Sequence, residues 1–180
     1  MKHLLPLRPI TLCLFLFALS ACTTGGRTPG VVIDDTVLET LVEREIRASD
    51  ANFKGSHLVV VSYNGLVLLA GQVASEELRT KASQVTQGLN RVKRVHNELT
   101  VGGPTSFFAR SNDGWLTSKV KSRLIAADDV NGTRIKVQTE NGTVFLMGLV
   151  SRAEADRATE VARNVYGVQK IVKVFEYQGE

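Results

Sequence analysis

NGLVLLAGQV, Asn64 to Val73, returns 77 residues later as NGTVFLMGLV, Asn141 to Val150. Each copy opens on an Asn-Gly pair. That pair is a strong signal for a two-residue hairpin turn, because both residues tolerate positive φ. A returning strand follows in each, Leu66–Val73 and Thr143–Val150. Near its end stands a glycine, Gly71 or Gly148. A glycine there permits a bulge or the close approach of another segment, so both are assigned a structural role.

The match spreads outward from the turns. His57–Ser62 and Arg134–Thr139 form the first arms of the hairpins. Upstream, Leu38, Val42 and Ile46 match Leu116, Val120 and Leu124 at an offset of 78. Their four-residue spacing predicts amphipathic helices over about Asp35–Ser49 and Asp113–Ala127. Downstream, Ala82, Val85, Leu89, Val92 and Val95 match Ala158, Val161, Val165, Val168 and Ile171 at an offset of 76. Ser75 and Ser151 open second helices, with Glu77 and Glu154 near the third position. These helices end near Asn90 and Gly167, and final strands run over Val92–Val101 and Val168–Tyr177. Each unit therefore reads αββαβ, an α+β two-layer sandwich in which a small mixed sheet packs on two helices. The predicted division is a leader over 1–21, a tether over 22–33, a first unit over 34–101, a linker over 102–111 and a second unit over 112–178. Phe107 and Phe108 are unusual in a linker. They are expected to pack on one of the units, and a second membrane contact is the sharper alternative.

The leader carries Lys2 and Arg8 before the apolar run Ile10–Leu19, which is of signal-peptide length and too short to span a bilayer. It ends in Leu19-Ser20-Ala21-Cys22, which resembles a bacterial lipobox. The resemblance implies export, cleavage before Cys22 and acylation of its thiol; the alternative is an ordinary signal peptide beside a free cysteine. Thr23, in place of an aspartate, implies sorting to the outer membrane. With Cys13 removed and Cys22 acylated, no thiol remains for a disulfide or a metal.

The formal charge of +4 falls to about +2 once the leader's Lys2 and Arg8 are gone, leaving 20 basic against 18 acidic residues. This balance gives no footprint for nucleic acid. His57 and His96 stand near strands without histidine counterparts in the second unit. Asp34-Asp35 and Asp128-Asp129 read as solvated charges at helix ends. No nucleophile motif, phosphate-cradling glycine loop or paired metal spacing appears. The expectation is no enzyme, no catalytic residue, no metal and no cofactor.

The αββαβ order, the Asn-Gly turns, Gly71 and Gly148, and the run Gly167-Val168-Gln169-Lys170-Ile171 together resemble the BON domain of bacterial envelope proteins. The first unit departs in one place, with Arg91 where the second has Gly167. The resemblance covers the whole mature chain. It implies a non-enzymatic, lipid-anchored protein on the periplasmic side of the outer membrane. It further implies binding of anionic phospholipid, phosphatidylglycerol in particular, through the first helix of the second unit, enrichment at division sites and a role in envelope integrity.

The residues give partial support of their own. Trp115, the single tryptophan, points about 130° from the apolar stripe of its helix. The expected lipid-binding residues are Trp115, Leu116, Ser118, Lys119, Ser122, Arg123, Ile125 and Ala126, with Lys121 at the flank. Tryptophan favours membrane interfaces, and a lysine stem can lie along a bilayer with its ammonium at a phosphate. The first unit has Val37, Arg44 and Arg47 for Trp115, Ser122 and Ile125, with Glu39, Glu43 and Glu45 nearby. The competing reading packs Trp115 on the linker, the phenylalanine pair or the first unit. The runner-up function is a protein adaptor that uses the first unit, or the Phe107-Phe108 region, to touch outer-membrane assembly, division-site or peptidoglycan factors, and it is compatible with lipid binding. A purely structural spacer would need neither surface.

Overall fold

A computed structural model describes residues 28–179. The leader, Cys22 and the expected tether as far as residue 27 lie outside the described residues. Four helices and seven strands follow in the order α1 (Pro29–Ser49), β1 (His57–Tyr63), β2 (Leu66–Val73), α2 (Glu76–Gln87), β3 (Arg94–Asn97), β4 (Thr100–Val101), α3 (Phe107–Ile125), β5 (Lys136–Glu140), β6 (Thr143–Val150), α4 (Arg152–Arg163) and β7 (Lys170–Tyr177).

The hairpin strands pair antiparallel, β1 on β2 and β5 on β6. The last strands add parallel to the middle one, β3 and β4 on β2, and β7 on β6. Each sheet is mixed, as the repeat predicts. In the first unit the expected final strand is split at Glu98-Leu99, where Leu99 drops into the core. The turn residues have positive φ in both copies: 53° and 80° at Asn64 and Gly65, 48° and 71° at Asn141 and Gly142. Gly71 also needs its missing side chain. Its φ is +107°, and a Cβ would meet the His57 carbonyl oxygen at 2.0 Å.

Alternation along the strands builds three apolar layers. Leu58, Val67, Leu69 and Val73 face α1 and α2. Val144, Leu146, Val150 and Phe175 face α3 and α4. The remaining faces meet each other, with Val61, Tyr63, Leu66 and Leu68 packed on Phe145, Met147 and Val174. The units therefore stack sheet to sheet, with helices on the two outer sides. This shared layer supplies burial that a unit of such size lacks alone. Polar bridges rim it. Lys136 Nζ donates to Glu39 and to the Ser62 carbonyl, and Gln72 Nε2 donates to Glu140 at 2.9 Å.

Two helices begin earlier than the sequence suggests. α1 starts at Pro29 rather than Asp35, so residues 28–33 are cap and helix rather than tether. Thr28 supplies the N-cap, and proline suits the first turn because its missing N–H would have no partner there. α3 starts at Phe107 rather than Asp113, which shortens the linker. Ser106 caps it by accepting from the Ala109 N–H at 3.2 Å. Gly114 lies inside this helix, where glycine is a poor helix former.

Asp35 is not a solvated charge. It is buried, and it accepts from Ser62 Oγ at 2.7 Å and from the Asn64 and Gly65 N–H groups at 2.9 and 3.2 Å. Asp113 does the same in the second unit, accepting from Asn141 and Gly142 at 2.8 and 3.0 Å. In each unit the first helix thus grips the hairpin turn through one carboxylate.

Candidate functional site: the outward face of α3

α3 turns Leu116, Val120 and Leu124 into the core of the second unit. Leu116 is 1% exposed, so it belongs to that core and not to any lipid surface. The opposite side holds Trp115, 58% exposed, and Ile125, 53% exposed. Ser118, Ser122, Arg123 and Ala126 are exposed there as well, and Lys119 is half-buried. The helix thus separates a packed stripe from an open face that carries the chain's single tryptophan.

The chemistry of that face is less polar than its composition. Ser118 Oγ donates to the Gly114 carbonyl at 3.1 Å, and Ser122 Oγ to the Ser118 carbonyl at 2.9 Å. Both hydroxyl protons are therefore spent inside the helix. Lys119 sets the electrostatics. Its Nζ lies 4.0 Å from the centroid of the Trp115 ring and donates to the Tyr166 carbonyl at 3.1 Å. The cation–π contact holds the ammonium against the indole face. Lys121, expected at the flank, turns away. Its Nζ donates to the carbonyls of Gly132 and Ile135 at 2.7 and 2.5 Å and closes the loop behind α3.

The phenylalanine pair differs from expectation. Phe107 and Phe108 form the first turn of α3 and pack on neither unit, being 70% and 83% exposed. Their rings touch each other edge to face, with centroids 6.1 Å apart. Tyr166, in the turn between α4 and β7, is 90% exposed beside Lys119. Sequence reasoning missed it because the contact joins residues 47 apart.

The other candidates are structural in geometry. At Gly148 a Cβ would stand 3.2 Å from the Arg134 carbonyl oxygen, tight but at ordinary φ. His57 Nε2 lies 3.3 Å from Glu140 at the layer between the units. His96 Nε2 is buried and has no hydrogen-bond partner among the described residues. Among the described residues no cluster of three or more His, Cys, Asp or Glu could hold a metal, and no helix is long and apolar enough to cross a membrane.

Two matches to the BON domain model cover residues 34–103 and 112–179. The chain belongs to the BON-domain family. It is 43% identical over 155 residues to the outer membrane lipoprotein DolP of Haemophilus influenzae, covering 86% of this chain and 80% of that protein. A 21 kDa hemolysin of Actinobacillus pleuropneumoniae is 42% identical, over 84% of this chain and 78% of its own length. The osmotically-inducible protein Y of Escherichia coli is 32% identical, over 79% and 72%. Within the BON family the chain is a DolP-like outer-membrane lipoprotein.

Proposed function

We propose that this lipoprotein, held by an acylated Cys22 on the periplasmic face of the outer membrane, binds anionic phospholipid without catalysing a reaction. The outward face of α3 is its binding surface and phosphatidylglycerol its principal ligand. Docking there serves envelope integrity and concentrates the protein at division sites.

The observation that carries this reading is the exposed Trp115 with the Lys119 ammonium against its ring. An indole favours the boundary between acyl chains and headgroups, and a neighbouring ammonium meets the phosphate there. Charge agrees. α3 carries four basic residues and one acid, and that acid, Asp113, is buried against the hairpin turn. α1 carries five acids and two arginines.

The test uses the mature chain with Cys22→Ser, so that binding does not run through the acyl anchor. Trp115 emission should shift to the blue with phosphatidylglycerol vesicles and stay unchanged with zwitterionic vesicles. Trp115→Glu, at an exposed position, should keep the fold and lose about a hundredfold in vesicle affinity. Wild-type affinity in that variant would sink the proposal. It would move the adaptor reading ahead, which draws on the exposed Ile33 and Val37 of α1.

A further inference from the structure

α3 carries more exposed aromatic surface than its tryptophan. Phe108 stands two turns before Trp115 and about 20° from it around the helix, some 10 Å along the axis. Phe107 lies on the same side as Ile125, five turns earlier by the same geometry. Both phenylalanine rings are open and meet only each other among the aromatic contacts of the described residues. A different element supplies the fourth ring. Tyr166 is a central residue of the turn closed by the Val168 N–H donating to the Val165 carbonyl at 3.1 Å. That turn places Tyr166 with its ring centroid 5.8 Å from Lys119 Nζ, which lies 4.0 Å from the centroid of the Trp115 ring.

The first unit shows what these positions hold without the surface. Trp115, Lys119 and Tyr166 correspond to Val37, Leu41 and Asn90, and the phenylalanine pair to Pro29-Gly30. Aromatic and cationic residues are absent from all five positions together, though the two units share a core pattern. That joint difference marks the four rings and the lysine as one surface.

Resting on the lipid-binding reading above, we infer that the membrane footprint spans two elements and has two depths. Phe107 and Phe108 enter the acyl layer of an anionic leaflet. Trp115 and Tyr166 lie at the headgroup level with the Lys119 ammonium near both rings, presented to a lipid phosphate. The ring chemistry sorts the depths: phenylalanine has no polar atom to satisfy, whereas the indole N–H and phenol O–H seek water or headgroups. The occupant is a lipid surface because the face pairs these rings with Lys119 and Arg123 while the helix has no exposed acid. The anchor favours the same choice. Only residues 23–27 separate Cys22 from the cap of α1, at most about 20 Å of chain, so the body stays beside the bilayer.

The experiment compares the Cys22→Ser chain with Phe107→Ser/Phe108→Ser, Phe107→Leu/Phe108→Leu and Tyr166→Ser on phosphatidylglycerol vesicles. Binding is read by co-sedimentation, and depth by quenching of Trp115 with lipids brominated along the acyl chain. The double serine variant should lose about tenfold or more in affinity and quench less at depth, since it removes two large apolar groups from the lipid phase. The double leucine variant should retain most of the affinity. Tyr166→Ser should lose about threefold, the share of one ring at the interface. All three positions are exposed, and unchanged thermal unfolding verifies the fold. If the parent chain binds and Trp115 responds while the serine variants bind equally well, the extended footprint is overturned and the single-helix site stands. If the parent chain does not bind, the lipid reading falls and this inference falls with it.

Discussion

α1 and α3 bury the same three positions, Leu38, Val42 and Ile46 in one and Leu116, Val120 and Leu124 in the other. Each places one aspartate on its hairpin turn. Outward they part. On α1, Arg47 Nε donates to Glu43 and Arg44 to Glu45, both at 2.9 Å or a little longer, so both arginines are paired with acids of their own helix, which keeps an excess of acid. On α3 the outer face holds an indole, an ammonium and no exposed acid. The inner side of the helix is fixed by what the sheet requires, whereas the outer side is free to acquire a ligand. Duplication can therefore keep a fold while one copy gains a surface.

The largest effect should come from the shared feature. Asp113→Ala leaves two turn N–H groups without their carboxylate, at a cost of about 2–4 kcal/mol. Asp35→Ala should cost at least as much, because Ser62 Oγ also depends on Asp35. Chemical unfolding of both variants checks this. A loss under 1 kcal/mol (roughly one ordinary neutral hydrogen bond) in either one would break the claim that the two units are held alike.

Much of this frame was legible in the sequence. The Asn-Gly pairs specify a turn by backbone chemistry alone, and the four-residue spacing of Leu116, Val120 and Leu124 specifies a buried stripe. The missed features are nonlocal or locally ambiguous. Asp35 looks like a charge at a helix end until the fold brings the Asn64 turn to it. Ser111-Asn112-Asp113-Gly114 carries the residues of a helix start, so it masked the true cap at Ser106. Lys121 reads as a flank cation because the carbonyls it serves, Gly132 and Ile135, are eleven or more residues away. The tryptophan face was found, since its angle to the stripe is local. Tyr166 was not, because only the packing of α3 beside α4 brings its turn to Lys119.

A smaller test uses the turn after the second helix. The Val92 N–H donates to the Leu89 carbonyl as Val168 does to Val165. The second unit puts Gly167 at the left-handed position, with φ of 104°, and the first puts Arg91 there, with φ of 76°. A side chain in that region costs about 1–2 kcal/mol. Arg91 recovers little from its exposed ion pair with Asp34, 2.9 Å long. Arg91→Gly should therefore stabilise the protein by about 0.5–1 kcal/mol, after the added freedom of the unfolded chain is deducted. A drop in Tm would show that the Asp34 pair matters more than the backbone.

The smallest effect should separate the two units by pH. His96 stands next to Leu68 across the β2–β3 pair, where the second unit has Val172 next to Phe145. Burial lowers its pKa from the ordinary imidazole value of 6.5, and the Arg94 charge adds to this while Glu98 opposes it. The fold therefore prefers neutral imidazole. Below about pH 6.5 the unfolded chain takes up a proton that the folded chain resists, so unfolding is favoured as acid is added. The contribution of neutral His96 is complete above that value and drains away as pH falls toward the depressed folded pKa. His96→Val installs the second unit's side chain and removes the titration. Between pH 7.5 and 5 its Tm should fall less than that of the parent. Equal falls would mean that acid acts elsewhere in the molecule.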